Sequence, residues 1–407
     1  MNKYFKFIIF ALLSINVILI AGEIADCSYN ASNTLNGFEI TEFLINYQGG
    51  FVRRGLIGEI LYHICTFFSI DPRYIIIPAC IAAMSAYVSI IIILFRKQNL
   101  SLWILPTYYA LCGGVCIRKD YMVMLLVLLI VYLLKRYSKN ASSMGLLGIT
   151  CVSILTFNIH ESSFFIIFPL VVAYILFIKN KINIWERLFH VIIPILVFAI
   201  ISICKGTQET ASLICDSWAN IEPYGEANLG DVPNSITALT WTIHGAADLH
   251  LNFNFASGPG WKHTAIILRP IVMIIILYLA VHVSLVHKRG HADFSNQVAR
   301  LVNLAIFQFI SLLPMFTILS CDFRRCCFYW LMSTFTSFML LRNVELSFTG
   351  KDFLIKVTTP IIHVFTLRAP LQIVFILLLC ISVPYQYNHA GDYLSPLLKT
   401  IRHAVAH

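Results

Sequence analysis

The chain has 407 residues, of which 58% are hydrophobic and only 12% are charged. This balance excludes an ordinary soluble domain and is typical of a protein that crosses the membrane many times as α-helices. The net charge of +9 does not indicate a nucleic-acid partner, because basic residues between apolar spans usually set membrane topology. We therefore predict an all-α integral membrane protein with one transmembrane domain, residues 1–407.

Eleven apolar runs are predicted to cross the bilayer, which requires about 20 apolar residues for each helix. The first run, Tyr4–Gly22, is longer than a usual signal-peptide core, so we favour a retained anchor over a cleaved signal. The next ten are Tyr74–Phe95, Leu100–Ile117, Tyr121–Leu134, Met144–Phe157, Phe164–Ile178, Leu188–Cys204, Thr264–Val286, Leu301–Ser320, Cys326–Leu341 and Pro370–Tyr385.

Two extramembrane loops are long. Residues 23–73 form the first, and its last part, Leu56–Ile70, is predicted to be an amphipathic helix on the membrane surface. Residues 205–263 form the second and larger loop. With the amino terminus in the cytoplasm, 17 of the 29 Lys and Arg residues but only 4 of the 20 Asp and Glu residues fall on the cytoplasmic side. Basic loops stay in the cytoplasm, so both long loops and the carboxyl terminus are predicted on the opposite side.

Four short polar motifs then lie at the outer ends of spans, and three of them are basic on the face where basic residues are usually few. They are Arg53-Arg54, Arg118-Lys119-Asp120, His160-Glu161 and Asp322 to Arg325. The spans that follow the last three hold 14 to 17 residues between charges, or about 21 to 26 Å of a core about 30 Å thick. Such spans draw the motifs below the interface, where ionisable groups tend to mark a functional site.

Each motif also has an ordinary interpretation. Arg53-Arg54 is compatible with an anchor for lipid headgroups, and His160-Glu161 with a polar turn between helices. The other two motifs are compatible with salt bridges that stabilise hairpins. The occurrence of all four on one face favours a shared site.

The first motif stands in the segment Gly49-Gly50-Phe51-Val52-Arg53-Arg54-Gly55-Leu56-Ile57-Gly58-Glu59. Glycines permit a tight turn and a close approach of the backbone to a ligand. The amides of a starting helix beside two guanidinium groups form a natural phosphate-binding corner.

A basic outer cavity with carboxylates suits a lipid-linked phosphorylated sugar. The candidate substrate-binding residues are Arg53, Arg54, Arg118, Lys119, Asp120, Arg324 and Arg325, which would stabilise the charge on a departing diphosphate. The transfer also needs a base to accept the proton of the acceptor hydroxyl, and the candidate catalytic residues are Glu161, Asp322 and His160. No DxD or HExxH-type pattern appears, so the sequence predicts no metal and no cofactor.

The motifs GFVRRGLIGEIL, IRKDYMVMLLVLL, NIHESSFFIIFPL and DFRRCCFYWL resemble those of bacterial membrane proteins from surface-polysaccharide clusters. They are most similar to the Wzy-type O-antigen polymerases and the related EpsG-like polymerases, which are GT-C-like membrane glycosyltransferases. The pair Cys326-Cys327 departs from the bulky aromatic residue expected after the arginine.

The resemblance implies a polymerase that transfers an undecaprenyl-diphosphate-linked glycan onto another lipid-linked repeat unit, at the periplasmic face of the bacterial inner membrane. It implies that the arginines of the motifs hold diphosphate or glycan and that His160 and Glu161 lie at the catalytic centre. The implied partners are the lipid-linked oligosaccharide, membrane lipids and a chain-length regulator.

Three other functions remain open. A GT-C-type transferase that adds a single sugar from an undecaprenyl-phosphate donor would use an acidic residue of the first loop, for which Glu39, Glu42 and Glu59 are candidates. A lipid-linked oligosaccharide flippase fits less well, because transporters place binding groups near the midplane and often have repeated halves. A structural or receptor subunit fits the large loop but leaves the polar motifs unexplained.

Overall fold

The computed structural model describes residues 24–31, 37–96, 116–178, 181–219, 234–242, 291–319 and 323–341, together with some isolated positions. The regular elements in these ranges are helices, and these ranges contain no β-strand, which confirms the predicted all-α class. Residues 24–31 are helical, and the helices that follow are α1 Phe38–Thr41, α2 Gly55–Phe68, α3 Arg73–Arg96, α4 Asp120–Lys139, α5 Ser143–Ile159, α6 Ser163–Phe177, α7 Ile184–Ile203, α8 Gln208–Trp218, α9 Asn234–Thr237, α10 His291–Pro314 and α11 Phe323–Leu341. A 3₁₀ turn, Ala238–Thr240, follows α9, and a π-helical turn, Met315–Leu319, follows α10.

Three of the described helices are long and apolar enough to cross a membrane. They are Arg73–Leu94 of α3, with a mean hydropathy of 2.4, then α4 with 1.7 and α7 with 2.0. The helices α5 and α6 are apolar but shorter, as is the part of α10 and its π turn from Asn303 to Leu319. These properties are those of a helical membrane protein.

Seven predicted spans coincide with helices. They correspond to α3, α4, α5, α6, α7, α10 and α11, and most of their ends differ by a few residues. The largest difference is at α10, which begins at His291 rather than Leu301 because its first turns are polar yet helical. The helix α7 begins at Ile184, where the Asn183 side chain accepts a hydrogen bond from the Trp185 amide. The predicted spans Tyr4–Gly22, Leu100–Ile117, Thr264–Val286 and Pro370–Tyr385 lie wholly or almost wholly outside the described residues.

The helix α11 is at the centre of the described bundle. Its residues from Cys326 to Phe338 are all buried, and it packs against α4 and α10, with further contacts to α3 and α6. The indole Nε1 of Trp330 donates a hydrogen bond to the Ala305 carbonyl oxygen at 2.8 Å, which fixes the register of α11 against α10. A helix that is buried on every face holds its first residues in a defined position, and this matters for the site described below.

The helix α2 has two different faces. Gly55, Gly58, Leu61 and Cys65 are buried against the protein, whereas the opposite side exposes large apolar residues. These are Ile60, Ile64, Phe67 and Phe68, with Phe67 80% exposed. An exposed apolar stripe of this kind is typical of a helix that lies in the membrane interface, as the sequence predicts for Leu56–Ile70.

The two predicted extramembrane loops pack on each other. Ile45 and Val52 of the first loop share a small hydrophobic core with Ile214, Cys215 and Leu239 of the second loop. Side chains reinforce this contact, since Trp218 Nε1 donates to the Leu44 carbonyl oxygen at 2.8 Å and Asn46 Nδ2 donates to Ser217 Oγ at 2.8 Å. The segment that carries the paired arginines is therefore held from both sides.

Candidate functional site

Nine ionisable residues from distant parts of the chain meet where several helices begin. We call this set the charged cluster, and it consists of Glu42, Arg53, Arg54, Arg118, Lys119, Asp120, His160, Glu161 and Arg325. The helices α2, α4, α6 and α11 all start within or beside it. A helix N-terminus carries a partial positive charge and unpaired amide groups, so the helices add to the positive potential of the basic side chains.

The centre of the cluster is an ion pair between Arg54 and Glu161. The Arg54 Nε atom donates to Glu161 Oε1 at 2.9 Å and to Oε2 at 2.7 Å, and Nη2 donates to Oε1 at 2.5 Å. Arg53 lies beside this pair, with Nη1 3.8 Å from Glu161 Oε1. These side chains are partly exposed, at 23% for Arg53, 21% for Arg54 and 14% for Glu161. A ligand therefore meets this part of the cluster first.

The backbone of Arg54 is in the left-handed region, with φ of 67° and ψ of 1°. A residue with a Cβ atom adopts this conformation at a cost of about 1 kcal/mol or more, and such strain is concentrated at functional sites. The Arg54 carbonyl oxygen accepts a hydrogen bond from Lys119 Nζ at 3.1 Å. This bond helps to hold Arg54 in the conformation that turns its side chain towards Glu161.

A second group lies deeper and joins Glu42 to Arg118 and His160. Arg118 Nε donates to Glu42 Oε2 at 3.1 Å, and the Arg118 guanidinium stacks on the Phe38 ring at 4.6 Å. Glu42 is fully buried, and its Oε1 atom has no hydrogen-bond partner among the described residues. His160 Nε2 lies 3.6 Å from this oxygen.

The Ser162 residue fixes the tautomer of His160. The Ser162 backbone amide donates to His160 Nδ1 at 3.3 Å, so Nδ1 accepts and the ring proton of the neutral imidazole is on Nε2. This proton points towards Glu42 Oε1 across 3.6 Å. His160 therefore has its lone pair turned towards Ser162, and its N–H group turned towards a buried carboxylate.

The third group connects α4 to α11. Arg325 Nε donates to both carboxylate oxygens of Asp120 at 3.0 Å, and Arg325 Nη2 donates to Oδ1 at 2.5 Å. The Tyr329 hydroxyl also donates to Asp120 Oδ1, at 2.5 Å. The Asp120 side chain is 0% exposed. This arrangement is a buried, fully bonded ion pair that holds two spans together.

The electrostatic environment sets the protonation of the cluster. Burial lowers the pKa of His160 to about 3, and the positive charge of Arg54 adds to this effect, so the imidazole is neutral at pH 7. Burial favours the neutral form of Glu161, but the Arg54 charge outweighs burial and holds the pKa of Glu161 below its ordinary value. The same balance, with Arg118 as the main cation, holds the pKa of Glu42 well below its ordinary value. Both carboxylates are ionised and weakly basic as long as their arginine partners stay in place.

Lys119 is buried without a carboxylate of its own. Its side chain has 0% exposure, and Nζ lies 5.5 Å from the centre of the Phe43 ring. Burial lowers the pKa of Lys119 to about 8, against the opposing attraction of Glu42. The lysine is therefore charged at pH 7 but close to its titration.

The charged cluster holds a surplus of positive charge. Its five cations, Arg53, Arg54, Arg118, Lys119 and Arg325, face three carboxylates, Glu42, Asp120 and Glu161. With His160 neutral, two positive charges remain unbalanced within the cluster. This surplus, together with the four helix N-termini, creates a positive potential of the kind that favours an anion with about two negative charges.

The glycines of the arginine motif turn the chain and pack against other segments of the protein. Gly50 has a φ of 110°, as the predicted tight turn requires. A Cβ atom on Gly58 would lie 1.9 Å from the Ile45 carbonyl oxygen, and one on Gly55 would lie 2.3 Å from the Tyr47 ring. A Cβ atom on Gly49 would lie 2.6 Å from the Thr210 carbonyl oxygen of α8. The sequence suggested that the glycines approach a ligand. The structure shows that these three allow close packing of protein segments that hold the arginines in place.

Most of the candidate residues from the sequence are brought together. The structure places Arg53, Arg54, Arg118, Lys119, Asp120, His160, Glu161 and Arg325 in the charged cluster. Arg324 lies in α11, but the described part of the structure does not extend to its side chain, and Asp322 lies outside the described residues. The sequence predicts that Asp120 binds substrate, and in the structure its carboxylate accepts hydrogen bonds from Arg325 and Tyr329.

Sequence reasoning gave too little weight to two residues. Glu42 entered only as a candidate of the single-sugar alternative, and Tyr329 was not considered. The available signal for Glu42 was its place directly before the apolar run from Phe43 to Ile45, since a buried carboxylate needs a cationic partner. Nothing in the sequence around Tyr329 distinguishes it from other aromatic residues of the span.

Among the described residues, no group of three or more His, Cys, Asp and Glu side chains has the arrangement of a metal site. Comparison of the chain with protein-family models, with curated proteins and with solved structures found no match.

Proposed function

We propose that the chain is a membrane glycosyltransferase that polymerises a surface polysaccharide. It transfers an undecaprenyl-diphosphate-linked glycan onto another lipid-linked repeat unit at the periplasmic face of the bacterial inner membrane. The observation that supports this most directly is the surplus of two positive charges around the partly exposed Arg53 and Arg54. A diphosphate esterified on both sides carries about two negative charges at pH 7 and matches this surplus.

The proposed topology is the one that the distribution of basic residues predicts. Eleven spans cross the membrane, with the amino terminus in the cytoplasm and the carboxyl terminus in the periplasm. The 23–73 and 205–263 loops are then on the periplasmic side. The exposed apolar face of α2 lies in the outer interface, which brings the arginines at its N-terminus to the level of lipid headgroups. A lipid-linked substrate would then reach the cluster from within the membrane plane.

In the proposed reaction the arginines grip the diphosphate and stabilise the charge that develops on its leaving oxygen. Glu161 accepts the proton of the attacking sugar hydroxyl, and His160 positions the neighbouring carboxylate Glu42. The buried ion pair of Asp120 and Arg325 holds α4 and α11 together. A chain-length regulator is the further partner that this activity would require.

The first test is deletion of the gene followed by gel analysis of the surface glycan. The polymerase predicts loss of the ladder of repeat lengths while a single repeat is retained. Loss of one side sugar with a normal ladder would instead identify a single-sugar transferase.

The second test uses point variants. Arg54→Ala and Glu161→Gln are each expected to lower the amount of long-chain polymer about 100-fold or more, because each removes a charge that acts in the transition state. The ion pair of Arg73 with Asp71, at the far end of α2, provides matched controls. Arg73→Ala and Asp71→Asn should leave the ladder unchanged, and immunoblots should show equal accumulation of all four proteins. Normal ladders from both site variants would exclude a polymerase function. A normal ladder from Glu161→Gln alone would favour a flippase.

One observation favours the single-sugar transferase as the second candidate. Glu42 belongs to the first loop, is fully buried in the cluster and has an oxygen to which no described residue donates a hydrogen bond. An acidic residue of the first loop is the group that this alternative requires. The product that accumulates in a Glu42→Gln strain separates the two, since a polymerase variant leaves single repeats and a transferase variant leaves an undecorated glycan.

A further inference from the structure

The partly exposed arginines already hold an anion, and this anion belongs to the protein. Glu161 accepts three hydrogen bonds from Arg54 and lies 3.8 Å from Arg53. A carboxylate and a phosphate bind an arginine fork in the same bidentate way. The Glu161 carboxylate thus occupies the position that a phosphate group would take.

The other two carboxylates of the cluster cannot leave their partners so easily. The Glu42 side chain is 1% exposed and the Asp120 side chain is 0% exposed, and Asp120 is bonded to both Arg325 and Tyr329. Separation of a buried ion pair leaves uncompensated charge and is strongly unfavourable. Of the three pairs, the one between Arg54 and Glu161 has both partners exposed to solvent by more than a tenth, so exchange of partners is easiest there.

We propose that Glu161 is an internal competitor for the diphosphate site, and that a bound diphosphate displaces it from Arg54 and Arg53. The ligand class rests on the proposed function, whereas the exchange itself rests on the geometry of the pair. The diphosphate takes over the two guanidinium groups, and the Glu161 carboxylate is set free. A carboxylate without its arginine partners is a stronger base. The base therefore becomes active only when the diphosphate is in place.

The exchange gives the reaction an order. Once the diphosphate is bound, the acceptor hydroxyl loses its proton to the freed Glu161, and its oxygen forms the new bond to the anomeric carbon. The bond between that carbon and the diphosphate oxygen breaks, and its electron pair leaves with the diphosphate, which stays on the arginines. No oxidant, metal or further reactant takes part in this step.

The test measures binding of inorganic pyrophosphate to the purified full-length protein in detergent by isothermal titration calorimetry. Removal of the competitor in Glu161→Gln should tighten binding by about tenfold, because the neutral amide no longer neutralises the two arginines. Arg54→Ala should weaken binding by about tenfold or more. Asp71→Asn, which removes a carboxylate paired with Arg73 outside the cluster, should leave binding unchanged.

Glu161→Asp covers the case in which Glu161→Gln does not fold. It keeps the charge but shortens the side chain by one methylene, so it loses the bidentate contact and should also bind pyrophosphate more tightly than the wild type. Equal or weaker binding by the folded variants overturns the exchange, even if gene deletion abolishes the glycan ladder. Tighter pyrophosphate binding by the Glu161 variants, together with an unchanged glycan ladder in the deletion strain, supports the exchange and excludes a polymerase function.

Discussion

At the scale of the residue, the chemistry of the cluster depends on which charges are permanent. The arginines stay charged at every physiological pH, and Glu161 and Glu42 are ionised because arginines neutralise them. Lys119 differs, since burial brings its pKa to about 8. Lys119 is therefore the cation of the charged cluster whose charge changes near neutral pH.

The pH dependence of ligand binding follows from Lys119. Its pKa in the folded protein is depressed, so it loses its proton as the pH rises through about 8, and the surplus falls by one positive charge. Pyrophosphate gains negative charge over the same range, so the affinity of the wild type is compared with that of Lys119→Met by calorimetry at each pH. The ratio of the two affinities should fall between pH 7 and pH 9, by up to about tenfold, because only the wild type loses a positive charge.

A ratio of the two affinities that stays constant from pH 7 to pH 9 would show that Lys119 does not titrate in this range. His160 is not a candidate for such a titration. Its pKa of about 3 keeps it neutral over the whole range.

At the scale of the element, the helices hold the cluster through close packing rather than through the motif residues alone. The helix α2 lies so close to residues 43–45 that a Cβ atom on Gly58 would be 1.9 Å from the Ile45 carbonyl oxygen. The helix must therefore move if this glycine is replaced, and the arginines at its N-terminus would move with it.

Gly58→Ala tests this packing against a matched glycine. Gly148 lies in α5, where a Cβ atom would meet only Leu133 Cδ1 at 4.0 Å. Gly58→Ala should prevent accumulation of folded protein, measured by fluorescence-detected size-exclusion chromatography. Gly148→Ala should be neutral or slightly stabilising, by up to about 1 kcal/mol, because alanine favours the helix. Equal behaviour of the two variants would contradict the close approach of α2.

The central helix α11 contains a second test of element packing. Ser333 and Ser337 are both fully buried. The Ser333 hydroxyl donates to the Trp330 carbonyl oxygen at 3.3 Å, whereas the Ser337 hydroxyl has no hydrogen-bond partner in the part of the chain that the structure describes. An unpaired buried hydroxyl costs about 1–3 kcal/mol of desolvation.

Ser337→Ala should therefore raise the midpoint of thermal unfolding in detergent, and Ser333→Ala should leave it unchanged or lower it. The two substitutions remove the same atom from the same helix, so the difference reports only on the hydrogen bond. A lower midpoint for Ser337→Ala would show that its hydroxyl has a partner, such as a bound water molecule.

At the scale of the whole molecule, the cluster joins segments that are far apart in the chain. Asp120 and Arg325 are 205 residues apart, and their ion pair ties α4 to α11. Arg53 Nη2 donates to the Ala238 carbonyl oxygen across 185 residues and links the two predicted extramembrane loops. These contacts make the cluster a product of the complete fold.

Asp120→Asn should accordingly destabilise the protein as a whole. Removal of one partner from a buried ion pair costs about 3–5 kcal/mol, because the other charge stays buried without compensation. His63→Ala provides the control, since His63 pairs with Glu59 at the surface with 69% of its side chain exposed, and such surface changes stay within about 0.5 kcal/mol. Thermal unfolding in detergent, followed by tryptophan fluorescence, would show a large loss for the first variant only. Similar midpoints for both variants would mean that the ion pair contributes little.

The sequence by itself determined the class of the protein and the place of most helices. Hydrophobic runs of sufficient length predict helices in a membrane because the backbone must satisfy its own hydrogen bonds there, and α3, α4 and α7 appear where the runs lie. The four polar motifs were also visible, since charges inside so apolar a chain are few. Their position at span ends already suggested one site.

Only the tertiary structure decided which charges pair. Sequence motifs do not reveal that Arg54 bonds to Glu161, that Asp120 is used by Arg325 and Tyr329, or that Glu42 lies unexposed beside His160. The physical reason is that pairing and burial depend on distances between helices, which packing sets and local sequence does not. The same reason explains the glycines, whose lack of a side chain matters because of the segment that lies opposite in space.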